Sequence, residues 1–272
     1  GCSRTRRGNG QLTGLNARNA NVQRLRRLIQ KRSQRQADGV FVAEGVTLLR
    51  EALAAGVVPE TVFYARGADP ELVQLAFDGG AAVFELADGV MEAVADAVTP
   101  QPVCAVLPLL DVPIDALARD GVVVVAVDVR DPGNAGTLVR SAAAAGARGV
   151  VLCDGSVDLY NPKTVRSTAG ALFRVPVVTS VDVDGALTAL GAAGRRRLAA
   201  VARDGDDYAT VDLTGPVAFV VGNEAHGLPD DLPGIDGRVT IPMPGPTESL
   251  NVGVATAVLC FEAARQGRVA VA

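Results

Sequence analysis

The sequence predicts an α/β protein: a parallel sheet in the C-terminal half, preceded by a smaller α/β domain. Three observations carry this. Apolar runs of strand length, above all Val122 to Val127, suit strands buried on both faces. These runs alternate with segments of helical periodicity, the pattern of a sheet covered by helices. The core is made of small branched residues, since aromatics are only 4% of the 272 residues and Trp is absent. That composition favours α/β layers over an aromatic-rich all-β module.

Residues 1–20, rich in Arg, Asn and Gly, predict a flexible basic arm. A helix is expected from Asn21, which can cap it, because Val22, Leu25, Leu28 and Ile29 recur at helical spacing. Arg24, Arg26, Arg27, Lys31, Arg32 and Arg35 are expected to cover the rest of that surface. A strand over 40–43, a helix to about 55, a strand over 61–65, a helix over 70–77 and a strand over 81–84 follow. A helix over 88–96 and a strand over 103–107 complete a domain spanning 21–107. Pro108 and Pro113 mark residues 108–120 as a linker. The second domain, 121–272, opens with a strand over 122–129. A loop and a helix to about 145 lead to a strand over 149–153, a βαβ unit. Helix 162–172, strand 175–179, helix 183–193, strands 197–202, 217–221 and 238–241, and a helix over 249–266 complete it.

Charge is divided unevenly. Residues 1–36 hold ten Arg or Lys and no Asp or Glu, whereas the whole chain carries −4. A basic appendage on an acidic body suits a polyanionic partner, or no more than a solvated tail. No apolar run reaches the ~18 residues of a membrane span, and no apolar segment follows the Arg-rich start as a signal peptide requires. Cysteines 2, 104, 153 and 260 lie far apart without CxxC spacing. Neither a zinc site nor a disulfide framework is expected, and a reducing cytoplasm is the default.

Three loops could carry chemistry. Asp131-Pro132-Gly133-Asn134-Ala135-Gly136-Thr137 leaves a buried strand and opens a helix, where free N–H groups meet anions. A dinucleotide site would need GxGxxG, and only Gly133 and Gly136 stand there. Arg140, one turn on, reads equally as a surface ion pair or a phosphate ligand. Val220-Val221-Gly222-Asn223-Glu224-Ala225-His226-Gly227-Leu228 is a strand end followed by polar residues, where α/β sheets bind ligands, though it also suits a plain turn. His226, the only histidine, reads as loop structure. Ile241-Pro242-Met243-Pro244-Gly245-Pro246-Thr247-Glu248-Ser249-Leu250-Asn251-Val252 is a second such mouth, in which Ser249 could be no more than a helix cap.

Together and in this order, N-x-G-x-x-x-R, V-G-N-E-x-x-G-L and I-P-M-x-G-x-x-x-S-L-N-V resemble the SpoU/TrmH family of RNA ribose 2′-O-methyltransferases, over about residues 121–266. Residues 26–45 are similar to the family's N-terminal RNA-binding domain, in the rRNA-modifying branch that includes thiostrepton-resistance-type methyltransferases. The resemblance implies a SPOUT fold with a deep trefoil knot, S-adenosylmethionine as cofactor, a homodimer and no metal. It places Asn134, Arg140, Glu224, Ser249 and Asn251 at catalytic-centre positions, and Gly222, Ile241 and Leu250 at cofactor positions. Arg140, too weak an acid to serve readily as a base, is then expected to position the ribose and stabilise alkoxide charge, with Ser249 and Asn251 orienting it and Glu224 pairing with an Arg of its own chain or across the dimer. Arg26, Arg27, Lys31 and Arg32 are expected to contact RNA. The implied substrate is 23S rRNA. The alternatives are tRNA, an inactive RNA-binding paralogue and, remotely, an NAD-dependent oxidoreductase. Two features depart from the family pattern: Gly253 after Val252, and Pro244 and Pro246 stiffening the loop around Gly245.

Overall fold

The computed structural model describes residues 14–95, 99–229 and 231–271. Residues 1–13 of the expected arm lie outside them. Residues 14–20 are not an arm. The Leu15 N–H donates to the Glu85 carbonyl at 2.7 Å, and the Ala87 N–H donates to the Leu15 carbonyl at 3.0 Å.

Helix α1 (Ala20–Gln30) buries Val22, Leu25, Leu28 and Ile29, the apolar stripe of the sequence. Its cap is Asn19 rather than Asn21: the Asn19 side chain accepts the Asn21 N–H at 2.9 Å. The chain breaks at Lys31, which takes an extended conformation, and resumes as α2 (Arg32–Asp38). Two of the six expected surface cations are used by the fold. Arg35 is buried and donates to the Leu28 and Ile29 carbonyls, which have no partner within α1. Arg24 pairs with Asp38 at 2.9 Å and Glu60 at 2.6 Å.

There follow β1 (Val40–Glu44), α3 (Val46–Ala54), β2 (Thr61–Tyr64), α4 (Pro70–Asp78), β3 (Ala82–Glu85), α5 (Val90–Val94) and β4 (Val103–Pro108). They build a four-stranded mixed sheet in the order β1-β4-β2-β3. β4 runs antiparallel to both its neighbours, while β2 and β3 are parallel.

The second sheet comprises β5 (Val122–Ala126), β6 (Gly149–Leu152), β7 (Val177–Val178), β8 (Arg196–Val201), β9 (Asp206–Asp207), β10 (Val217–Val221) and β11 (Gly237–Thr240). Its order is β7-β6-β5-β10-β8-β11-β9, with every pairing parallel. The two-residue β9 has no apolar signature, so periodicity could not find it. Helices α6 (Pro132–Ala144), α8 (Val183–Ala192) and α9 (Val252–Val271) belong to this sheet. One face packs Val123, Val125, Val151, Ala218 and Val220 with Leu187 and Leu190 of α8. At the sheet's N-terminal edge the buried Arg195 donates to the carbonyls of Gly121, Asp120, Val217 and Ala118, so its guanidinium is neutralised by backbone dipoles.

The chain divides into two compact units, one of residues up to Leu109 with Tyr160–Phe173, the other of Leu110–Leu159 with the remainder from Arg174. The helix expected over 162–172 is interrupted. α7 (Pro162–Ser167) stops where Ala169 and Gly170 take left-handed φ values of 48° and 92°, and only a short 3-10 turn, Ala171–Phe173, follows. Phe41 of β1 packs on Tyr160 and Phe173 at ring distances of 5.0 and 6.3 Å. The Arg166 guanidinium meets the buried Glu44 carboxylate at 3.1 Å.

Candidate active site

The C-terminal ends of β8, β10 and β11 open into a cavity of about 520 Å³. This is where parallel α/β sheets place ligands, because the strands stop there and the loops diverge. One wall is the turn after β10. The Asn223 side-chain oxygen accepts the Ala225 N–H at 2.9 Å and the His226 N–H at 3.2 Å, and Asn223 and Gly227 exchange two backbone hydrogen bonds. Gly222 is required at the neck of this turn, since a Cβ there would sit 2.6 Å from the Leu228 nitrogen. The other wall is the segment after β11. Residues 242–250 make no backbone–backbone hydrogen bond among the described residues. Their polar groups are therefore left for solvent or a ligand.

A hydrogen-bonded chain of side chains crosses the mouth. Asn251 donates from Nδ2 to Asn134 Oδ1 at 2.7 Å, and Asn134 donates from Nδ2 to Glu224 Oε1 at 2.9 Å. Both ends are anchored. The Asn134 N–H donates to Asp131, the cap of α6, at 2.8 Å. Asn251 Oδ1 accepts the Gly253 and Val254 N–H groups and so caps α9. The helix expected from Ser249 therefore begins at Val252, and the cap is Asn251, not Ser249. Gly253 lets α9 approach α6, since a Cβ there would lie 2.6 Å from Thr137 Cγ2.

Of the expected site residues, Asn134, Glu224, Ser249, Asn251, Gly222, Ile241 and Leu250 all line this cavity. Arg140 does not. It is exposed on α6 and forms no ion pair among the described residues. Glu224 accepts a hydrogen bond from the Asn134 amide, and no arginine pairs with it among the described residues of its own chain. Arg26 and Arg27 on α1, Lys31 at the break and Arg32 on α2 are all exposed. Sequence reasoning passed over Asn223, Asp128 and Arg130. Asp128 has a left-handed φ of 55° and accepts the Asn223 amide on its carbonyl (2.9 Å) and its carboxylate (3.2 Å). Its other carboxylate oxygen accepts Arg130 Nε at 2.7 Å. The available signal was that Asp is among the few residues other than Gly that tolerate this conformation.

Two domain families match the chain. Residues 121–261 match the SpoU rRNA Methylase family, and residues 19–105 match the MRM3-like substrate binding domain. The chain belongs to the SpoU rRNA Methylase family. A Bacillus subtilis protein, 23S rRNA (guanosine(2553)-2′-O)-methyltransferase RlmP, is 33% identical over 90% of this chain and 96% of its own length. A 23S rRNA (uridine(2479)-2′-O)-methyltransferase of Streptomyces viridochromogenes is 32% identical over 93% and 92%. The structure is similar to an AdoMet-bound rRNA methyltransferase from Sinorhizobium meliloti, with a TM-score of 0.83 at 31% identity, covering 94% of this chain and 97% of that one.

The cavity suits AdoMet. Its volume is in the range of small-molecule sites. Val221, Leu228, Ile241 and Leu259 supply apolar walls, and the backbone groups of Met243, Ser249 and Leu250, which make no backbone–backbone hydrogen bond among the described residues, can meet the edge of a base. The thiols of Cys153 and Cys260 are pushed up to about 12 by burial, so neither offers a thiolate at neutral pH. No group of three or more His, Cys, Asp or Glu side chains placed to hold a metal occurs among the described residues. Among those residues no helix is long and apolar enough to cross a membrane.

Proposed function

We propose that the molecule transfers the methyl group of S-adenosylmethionine to a ribose 2′-hydroxyl of 23S rRNA. The carrying observation is the Asn251–Asn134–Glu224 chain across the mouth of a cavity at the sheet's C-terminal edge. When bound, the cofactor supplies an electrophilic methyl carbon next to a sulfonium sulfur. Everything else falls to side chains. The ribose oxygen must be held in line with that carbon, and fixed neighbours lower the entropy cost of doing so. Asn134 and Asn251, each tied to a helix start, hold the hydroxyl's surroundings rigid, with Ser249 beside them. Gly222, Ile241 and Leu250 hold the cofactor. Arg140 positions the substrate and stabilises alkoxide charge as the 2′-proton leaves.

The proposal extends to the assembly. On α9 the exposed Val254 and Phe261 stand seven residues apart, on one face of the helix with the half-buried Val258 between them. An apolar stripe on an outer helix favours a second copy, and we assign the homodimer to this face. An interface there accounts for an Arg140 that stands outside its own chain's cavity. A trefoil knot through the C-terminal segment is part of the same reading; it is supported by the passage of residues 241–251 alongside the 222–228 turn at the cavity. Residues 21–107 are assigned to RNA binding and 121–272 to methyl transfer. A cytoplasmic location is part of the same reading, and the rRNA substrate supports it.

The test is transfer of labelled methyl from AdoMet to deproteinised 23S rRNA and, in parallel, to tRNA. The expected result is one ribose-methylated site in 23S rRNA. Methylation of tRNA alone would move the substrate, and no transfer to either RNA would overturn the proposal.

A further inference from the structure

A second, more open cavity of about 610 Å³ adjoins the first and shares Asn134, Asn223, Glu224 and His226 with it. Arg130 and Asp131 line only this outer one. We propose that Arg130 is a positioning residue that binds the phosphodiester beside the target ribose; this rests on the methyl-transfer reading above.

The geometry has two parts. First, Arg130 is aimed. Its Nε is taken by Asp128 Oδ1, while the other Asp128 oxygen and the Asp128 carbonyl are held by the Asn223 amide. Asn223 itself is fixed by the turn that walls the inner cavity. This relay spends Nε alone. Among the described residues neither terminal nitrogen has a partner, so both remain for a ligand, on a side chain that is 72% exposed. A guanidinium held at Nε with two free terminal groups is suited to a phosphate. Second, the acids around it each accept a hydrogen bond from the site, although Asp131 and Glu224 are exposed and line the same cavity. Asp131 accepts the Asn134 N–H, Asp128 faces Asn223 and Arg130, and Glu224 accepts the Asn134 amide.

Chemistry supplies the ligand. A ribose 2′-oxygen sits on the carbon next to the one bearing the 3′-phosphodiester. RNA that brings this hydroxyl to Asn134 therefore brings a phosphate to the cavity that Asn134 shares with Arg130. Arg140, which the sequence offered equally as a surface ion pair or a phosphate ligand, lines neither cavity.

The experiment compares wild type, Arg130→Ala and Arg130→Lys. It measures affinity for deproteinised 23S rRNA at several salt concentrations, kcat and KM for methyl transfer, and AdoMet affinity. Arg130→Ala should raise KM about tenfold, more than it lowers kcat, and should flatten the salt slope by about 0.7–0.9 units, one phosphate contact. AdoMet affinity should not change. Arg130→Lys should restore the slope, since a cation remains, but only part of KM, since the Nε hydrogen bond is gone. An unchanged slope and KM in Arg130→Ala would overturn the assignment. So would a parallel loss of AdoMet binding, which would make Arg130 a support of the fold. A wild type that shows the Arg130-dependent slope but transfers no methyl would sink the methyl-transfer reading and leave the phosphate contact standing.

Discussion

Gly222 shows how little space a site residue can have. Its Cβ position is occupied by the backbone of Gly227 and Leu228, so a methyl group must push the 222–228 turn outward. Overpacking of this kind costs about 1–3 kcal/mol, and here the displaced atoms are a cavity wall. Gly222→Ala should therefore lower AdoMet affinity by about tenfold or more, as titration calorimetry would report. Full affinity would mean that the turn moves freely. Arg140→Ala should behave in the opposite way. Because Arg140 lines neither of the two cavities described above, AdoMet binding should persist while kcat falls about 100-fold. Steady-state turnover near that of wild type would reduce Arg140 to a surface residue.

Helix α9 couples the site to the rest of its sheet. Its first turn is capped by Asn251, and near its far end Gln266 accepts the Leu213 N–H at 2.8 Å and donates to the Val211 carbonyl at 3.1 Å. Between them Glu262 accepts hydrogen bonds from Arg265 and Gln266, which hold its carboxyl down at about 2. The folded value lies below the unfolded one. The stabilisation is therefore present above the usual glutamate range, near 4.5, and is lost as pH falls toward 2. Thermal melts of Glu262→Gln and wild type should differ at pH 7 and converge between about pH 4.5 and 2. A gap that stays constant with pH would show that the carboxylate does not contribute through its charge.

Across the whole molecule, the basic N-terminal segment stands against an acidic remainder. The four cations at 26, 27, 31 and 32 are exposed, and none forms an ion pair among the described residues. Arg24 and Arg35 are committed to the fold. Replacing Arg26, Arg27, Lys31 and Arg32 by Ala should weaken RNA binding and flatten its salt dependence by up to about 0.7–0.9 units per lost contact. AdoMet affinity should be untouched. Coincident salt slopes for the two proteins would move RNA recognition away from α1 and α2.

The alternation of apolar runs, the Val-rich strands and the three loops at strand ends were legible in the sequence, because a strand buried on both faces must be apolar throughout and its end must turn. The family and seven of the eight expected catalytic and cofactor residues around one cavity were legible in the same way, since they lie in those loops. Other features were decided only by contacts distant in sequence. Asn134 meets Glu224 and Asn251 across 90 and 117 residues. Arg24 and Arg35 look like surface cations on a helical wheel until Glu60 and the end of α1 are placed beside them. Residues 162–172 carry a helical pattern, yet Ala169 and Gly170 turn left-handed and the segment groups with the N-terminal unit. The proposed role of Arg130 arises the same way, through an aspartate whose carbonyl and carboxylate accept an amide 95 residues away. Periodicity reports which face of an element is buried; it is silent on which polar partner the fold brings to that face.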